Sequence, residues 1–391
     1  MVAGRTRKYM SKTDDAKKKS ENFFLAGSKL MELKEYQKAK RKFDYALKYD
    51  DQNPYYYFFR AKALASLKKK DQYLRDMDKS ITIYNREIRE DPTNAEYHDG
   101  RAMALEMLGS ESDIDIGRFQ YLNIKPIPAD EYESDADLVI RKFMSIFKEA
   151  LEESDTAIKL DSGNVIYRMH RASMMRHLAN ELGSDYSCML RGYFNRDELY
   201  NGAIEDCNHI LEMDGNDKKA LILKAEIFQD SKRDEEAVKV CDDLLKLDPY
   251  NTEVLYLKGY SLRWLKKYEE AMKQCDMILE REPENSDTHL MRGDILYWLE
   301  RYEEAIKEFD TSMLLDPNDY YSHFLRGNAL VNLNRYDEAL IEYDIAIRIA
   351  PYKYSARSNK VVILRKMGRQ EEADKEFSDT VNYNRCVLSK S

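Results

Sequence analysis

The side chains able to do chemistry in this 391-residue chain are few and regularly placed. Of five cysteines, Cys207, Cys241 and Cys275 follow one another at intervals of 34 residues. A thiolate can act as a nucleophile or metal ligand, but a site must gather its ligands in space. A fixed long interval instead puts each residue into a separate copy of one local environment. The spacing therefore reads as equivalent buried slots, each filled by a small apolar side chain, and unpaired thiols fit a reducing compartment. The carboxylate pairs Glu269–Glu270 and Glu303–Glu304 are the right type for general acid–base work. They too stand 34 apart, each inside the phrase "YEEA", where negative charge suits the first turn of a helix. The chain has no phosphate-binding G-x-x-x-x-G-K-[ST] loop, no H-E-x-x-H zinc helix and no G-x-S-x-G elbow. No catalytic residue, metal ligand or cofactor site is expected, and the chain reads as a non-enzyme.

The interval points to the elements that carry these residues. The segments 218–251, 252–285, 286–319 and 320–353 align without gaps; "TEVLYLKGYSLRWLKKYEEAMKQCDMILEREPEN" and "SDTHLMRGDILYWLERYEEAIKEFDTSMLLDPND" are two of them. Apolar residues recur at three- and four-residue steps twice in each unit, which predicts two amphipathic helices. A break near Lys266 or Arg301 separates them, and Pro249, Pro283, Pro317 and Pro351 close the units. Ala225, Gly259, Gly293 and Gly327 hold the eighth position, Ala237, Ala271, Ala305 and Ala339 the twentieth, and Tyr268, Tyr302 and Tyr336 the seventeenth. Small residues at eight and twenty let two helix axes approach closely.

This pattern resembles the tetratricopeptide repeat (TPR) family. The resemblance implies an all-α fold: an α-solenoid of stacked antiparallel helix pairs forming one right-handed superhelix. It extends over about nine units between residues 20 and 387. Residues 1–19 form a basic N-terminal tail. The units run 20–53, 54–94, 95–164 with an acidic insertion at 110–140, 165–217 with an insertion at 180–199, then 218–251, 252–285, 286–319, 320–353 and 354–387. Residues 388–391 form a C-terminal tail. The seven residues by which 54–94 exceeds the common length are close to two helical turns, which a longer second helix absorbs without losing phase. No extra polar helix is evident after the ninth unit, so self-association through an uncapped C-terminal repeat is a further expectation.

Charge narrows the partners. The net charge is −9, which disfavours nucleic acid, whose phosphates need clustered Lys and Arg. No apolar run approaches a membrane-spanning helix, so no membrane insertion is expected. The N-terminus is basic but lacks the apolar stretch of a secretory signal; a mitochondrial targeting segment stays as an alternative to a solvated tail. Cations recur at the seventh position: Arg60, Arg101, Arg171, Lys224, Lys258, Arg292, Arg326 and Lys360. They either follow an acidic ligand or pair with nearby Glu and Asp, and pairing is the preferred reading. His98, His289 and His323 share the fourth position, which faces the neighbouring helix, and are read as structural.

In the family this chain resembles, first helices line a concave groove and positions two, five, nine, twelve and thirteen point into it. Five, nine and thirteen form one stripe of a helix. Here the stripe reads Tyr256, Tyr260 and Trp264, then Leu290, Asp294 and Trp298, then Phe324, Asn328 and Asn332, with Tyr297 and Tyr321 beside it. The framework does not need these aromatics, and an exposed aromatic patch marks an interaction site. The candidate partner-binding residues are Tyr256, Tyr260, Trp264, Leu290, Asp294, Tyr297, Trp298, Tyr321, Phe324 and Asn328, unless neighbouring repeats or the acidic insertion cover them. The family's carboxylate clamp, which grips chaperone tails, would place Tyr256, Tyr260, Met291, Tyr321 and Leu325 in its slots, so clamp chemistry is not expected. The reading is a cytoplasmic, non-enzymatic scaffold or adaptor that holds a peptide or helix of a protein partner. Alternatives are a structural subunit of a cytoskeletal or ciliary assembly, bound through edges and insertions, and a co-chaperone without the clamp.

Overall fold

The computed structural model describes residues 2–109, 135–182, 194–351 and 353–378, with 2–14 and 135–143 described by their backbone. Every regular element among them is a helix, and none is long and apolar enough to cross a membrane. The expected solvated tail is instead helical, because residues 2–19 continue the first helix of the first repeat. The chain divides into two compact units, Met1–Met213 and Asp214–Ser391.

The first unit holds α1 (Val2–Glu32), α2 (Tyr36–Tyr49), α3 (Pro54–Ser66), α4 (Lys70–Glu90), α5 (Ala95–Gly109), α6 (Asp135–Leu160), α7 (Val165–Glu181) and α8 (Arg196–Met213). The second holds α9 (Lys218–Asp230), α10 (Asp234–Leu247), α11 (Thr252–Trp264), α12 (Tyr268–Leu279), α13 (Ser286–Trp298), α14 (Tyr302–Leu315), α15 (Tyr320–Asn332), α16 (Tyr336–Ile349) and α17 (Tyr354–Lys366), followed by a helix over 370–378. The 21 residues of α4 against 14 in α2 take up the extra length of the second repeat.

Most of the expected insertion at 110–140 lies outside the described residues, but its last six are already helical in α6. The expected insertion at 180–199 shrinks from both sides. α7 continues through Glu181, and α8 begins at Arg196, where the Asn195 side chain accepts from the backbone N–H of Asp197 at 3.0 Å. Residues 183–193 and 379–391, including the C-terminal tail and the end of the last repeat, lie outside the described residues.

Two local devices set the period. Asn251, Asn285 and Asp319 each accept a hydrogen bond from a backbone N–H in the first turn of the helix they precede, which satisfies a donor that a helix start leaves open. After seven of the first helices a residue turns left-handed: Lys34, Lys68, Lys232, Lys266, Glu300, Asn334 and Gly368. Around Lys266, Lys267 N donates to Leu262 O at 2.9 Å and Lys266 N to Arg263 O at 3.0 Å. These paired bonds close the helix and reverse the chain within two residues.

Packing then couples the eighth position to the twenty-fourth. A Cβ on Gly293 would lie 2.6 Å from the Phe309 ring, and one on Gly327 would lie 2.7 Å from Tyr343. Cys241 and Cys275 occupy the same twenty-fourth slot and are fully buried and unpaired. Burial pushes both thiols up to about 12, because the thiolate loses its hydration there. The 34-residue cysteine interval is thus a core slot that takes a ring in one repeat and a thiol in another.

Within each unit, consecutive helices pack on one another and first helices also touch the next first helix, as α11 touches α13 and α13 touches α15. The first helices therefore form the tighter inner layer and the second helices the outer one.

Candidate interaction groove

The seventh-position cations are not a free ladder for an acidic ligand. Arg326 donates to Asp310 on the preceding second helix at 2.7 Å and to Glu342 on its own at 2.8 Å. Lys360 lies 2.6 Å from both Asp344 and Glu376. Arg60 joins Asp44 to Asp76, and Arg171 joins Asp155 to Asp206. Arg292 follows the same rule with Asp276 and Glu308. The acids stand sixteen residues before and after the cation in the ungapped repeats, so the ladder stitches each repeat to the one before it. Arg101 makes buried bonds to Asn85, Glu149 and Glu153. Lys224 has Asn208 and Val240 in those places and lies over the Phe228 ring instead.

The groove candidates divide into a seated set and an exposed set. Tyr256 and Tyr260 pack against a cluster of Leu262, Cys275, Met291 and Ile295, and burial pushes the Tyr256 hydroxyl up to about 12. Leu290, Tyr297 and Phe324 pack against the cluster around Phe309, Tyr320 and Leu330. Trp264, Trp298 and Tyr321 are 55%, 53% and 51% exposed, far more than a large ring needs for packing alone. Neighbouring repeats therefore leave these three open among the described residues.

One bridge organises the tryptophans, and it depends on a residue at a groove position that the candidate residues left out. Arg263, at position twelve of α11, lays its guanidinium 4.4 Å from the ring centre of Trp264 and 5.4 Å from that of Tyr260. Its Nε lies 3.0 Å from Asp294 Oδ2 on α13, one helical turn before Trp298. Burial holds the Asp294 carboxyl above its usual range, with Arg263 and Trp298 pulling it back. Among the described residues no ring contact joins the two tryptophans; the ion pair lies between them. An Arg beside a Trp on one helix and an Asp four residues before a Trp on the next was the sequence signal for this bridge.

A second network lies one repeat on. The buried Tyr343 hydroxyl donates to Asn328 Oδ1 at 2.8 Å, and Asn359 Nδ2 donates to the same oxygen at 2.8 Å. Asn328 thus has its acceptor oxygen engaged twice, while its amide N–H groups make no hydrogen bond among the described residues. Asn332 Nδ2 donates to the Tyr297 hydroxyl across the repeats at 3.1 Å. Tyr320 stacks on Phe324 at 5.7 Å, and Lys353 lies 4.0 Å over the Tyr321 ring. Asn359 and Tyr343 were absent from the sequence reading. Tyr343 comes from the second helix, and it reaches the groove layer only because Gly327 leaves room for its ring.

Among the described residues no group of three or more His, Cys, Asp or Glu is arranged to hold a metal ion. The histidines are held within the framework: His289 contacts Glu308 and the Pro283 carbonyl, and His323 contacts Glu342 and the Pro317 carbonyl.

No curated protein sequence matches the chain. Among solved structures, yeast Tom70 is 14% identical at a TM-score of 0.42, with 93% of this chain and 92% of that one covered. The form of MamA from Desulfovibrio magneticus RS-1 that starts at its residue 41 is 18% identical at 0.37, with 47% and 97% covered. YrrB, described as a TPR protein with an unusual peptide-binding site, is 19% identical at 0.36, with 54% and 98% covered. Family models described as tetratricopeptide repeat match residues 24–95 and 290–354 and residues 253–285. The matched segments have the capped, glycine-crossed helix pairs described above, and the chain carries tetratricopeptide repeats over them.

Proposed function

We propose that the protein is a non-catalytic interaction scaffold whose second unit holds an extended peptide or helix of a partner protein along its first-helix layer. The observation that carries this reading is the exposure of Trp264, Trp298 and Tyr321 on three successive first helices, with Trp264 held by Arg263, which bridges to Asp294 one turn before Trp298. A large ring held in place at the surface loses little entropy on contact, which is the property of an interface anchor. The amide groups of Asn328 and Asn359 add hydrogen-bonding capacity for a main chain laid beside the rings. Tyr256, Tyr260, Leu290 and Phe324 form the floor that seats these groups. The absence of catalysis is part of the proposal: Cys241 and Cys275 fill core slots, His289 and His323 face carboxylates, and Glu304 pairs with Arg301.

Affinity capture from the native source tests it, comparing the wild type with Trp264→Ala/Trp298→Ala. Both side chains are exposed, so the variant keeps the fold, which circular dichroism checks. Loss of a specific set of partners is the expected result. Recovery of the same partners by the double variant overturns the reading.

A further inference from the structure

The histidine at the fourth position of a repeat has an acceptor at each ring nitrogen. His289 Nδ1 lies 2.8 Å from Glu308 Oε2, and its Nε2 lies 3.0 Å from the carbonyl oxygen of Pro283. His323 repeats the arrangement with Glu342 at 2.7 Å and the Pro317 carbonyl at 3.4 Å. In the first unit His98 does so with Glu153 at 2.5 Å and the Pro92 carbonyl at 3.1 Å. A carboxylate and a carbonyl only accept, so both contacts are hydrogen bonds only when both ring nitrogens carry protons. A neutral ring keeps one of the two.

The repeats of the second unit act as internal controls on this slot. Where the residue nineteen positions further on is Val240 or Gln274, the fourth position is Leu221 or Leu255. Where it is Glu308, Glu342 or Glu376, the fourth position is His289, His323 or Arg357, and Arg357 lies 3.4 Å from Glu376. The slot takes a basic side chain when an acid faces it and an apolar side chain when none does.

The two histidines sit where the groove would feel them. Pro283 and Pro317 lie in the loops that deliver the chain into α13 and α15, and each histidine ties its loop to its own first helix and to the second helix behind. α13 carries Leu290, Asp294, Tyr297 and Trp298, and α15 carries Tyr321, Phe324 and Asn328. We propose that His289 and His323 are proton-operated clasps that set the order of this groove. Protonated, each holds loop, first helix and second helix together; deprotonated, each releases one of its two bonds and the groove helices loosen. The regulatory meaning rests on the groove reading above.

The charges around each ring set the sign. His289 faces Glu308 of α14, with Arg292 of its own helix on the same carboxylate and Asp276 of α12 on the far side of Arg292. His323 faces Glu342 of α16, with Arg326 of its own helix on that carboxylate and Asp310 of α14 beyond. Histidine as a residue type changes charge in the range of about pH 5 to 8. The clasped state therefore belongs to the acidic side of that window and is lost as pH rises.

Trp264 and Trp298 are the only tryptophans in the chain, so their fluorescence reports on this groove with no partner added. The full-length protein is expected to show one titration of tryptophan emission between about pH 5 and 8. His289→Arg/His323→Arg, built on the pattern of Arg357, is expected to abolish the titration and hold the acidic spectrum. His289→Leu/His323→Leu, on the pattern of Leu255, is expected to hold the alkaline one. His98→Arg, in the other unit, is expected to leave the titration in place. A wild-type emission that stays flat across the window overturns the proposal. So does a titration that survives in either double variant, which would assign it to Asp294 beside Trp298. Because no partner is present, failure here leaves the groove reading standing, and failure of the capture experiment leaves the titration standing.

Discussion

Arg263 and Asp294 meet at 3.0 Å across two successive first helices, each largely withdrawn from water, with Arg263 laid against Trp264 and Asp294 one turn before Trp298. The pair joins two repeats on the groove side, while the seventh-position ladder joins them toward the second helices. A pair of this kind is worth little when both partners are counted against their hydration, but removing one partner strands the other.

Arg263→Met is therefore expected to destabilise the second unit by about 1–3 kcal/mol at pH 7, because the carboxylate loses its main counter-charge. The Asp294 carboxyl is already raised by burial, and losing Arg263 raises it further. A carboxyl raised on folding stabilises the fold in its protonated form, so the defect shrinks as pH falls toward 4 and grows as pH rises through the folded-state value. Urea unfolding of wild type and variant at pH 7 and pH 4 reads this; an equal loss at both pH values would show that Arg263 acts by packing its stem and not by its charge.

The eighth-position glycines are not interchangeable. Gly293→Ala drives a Cβ to 2.6 Å from the Phe309 ring, which is fully buried and cannot retreat, whereas Gly259→Ala meets the flexible end of Met291 at 3.0 Å. The first is expected to cost about 1–3 kcal/mol as an overpacked core. The second is expected to cost well under half of that, with thermal unfolding followed by circular dichroism as the measurement. A ranking in the other order would contradict the packing described for the crossing point.

The left-handed turn between helices is built mostly without glycine. Lys266 and Glu300 stand at φ 59° and 61°, where an L-residue is strained by roughly 1 kcal/mol and glycine is not. Lys266→Gly and Glu300→Gly are each expected to stabilise the second unit by about 0.5–1 kcal/mol, the relief being partly offset by the freer unfolded chain. Gly368, at φ 76°, is the converse case, and Gly368→Ala is expected to destabilise. Denaturant midpoints at constant slope distinguish these effects from changes in the unfolded state.

The sequence by itself determined the period and what depends on it locally. The helix pairs of the ungapped repeats, the small eighth and twentieth positions and the buried cysteine slot are written in nearest-neighbour terms, because a repeat contacts chiefly the repeats beside it. Ion partners were legible in principle, since acids sixteen residues to either side of Arg326 mark its ladder. The irregular repeats were less so: residues 2–19 continue a helix although their composition suggested a tail, and α6 and α8 begin where no repeat interval points. Tertiary structure alone decided which groove side chains face water. Tyr256 and Trp264 share one stripe of α11, yet one is seated on a core cluster and the other is more than half exposed. That difference depends on how far the next helix extends over each ring, a distance set by side chains on another repeat. The same holds for Tyr343, whose hydroxyl meets Asn328 and Asn359 through the gap at Gly327. Helical periodicity gives the direction of a side chain, and only the packed neighbour determines what it meets.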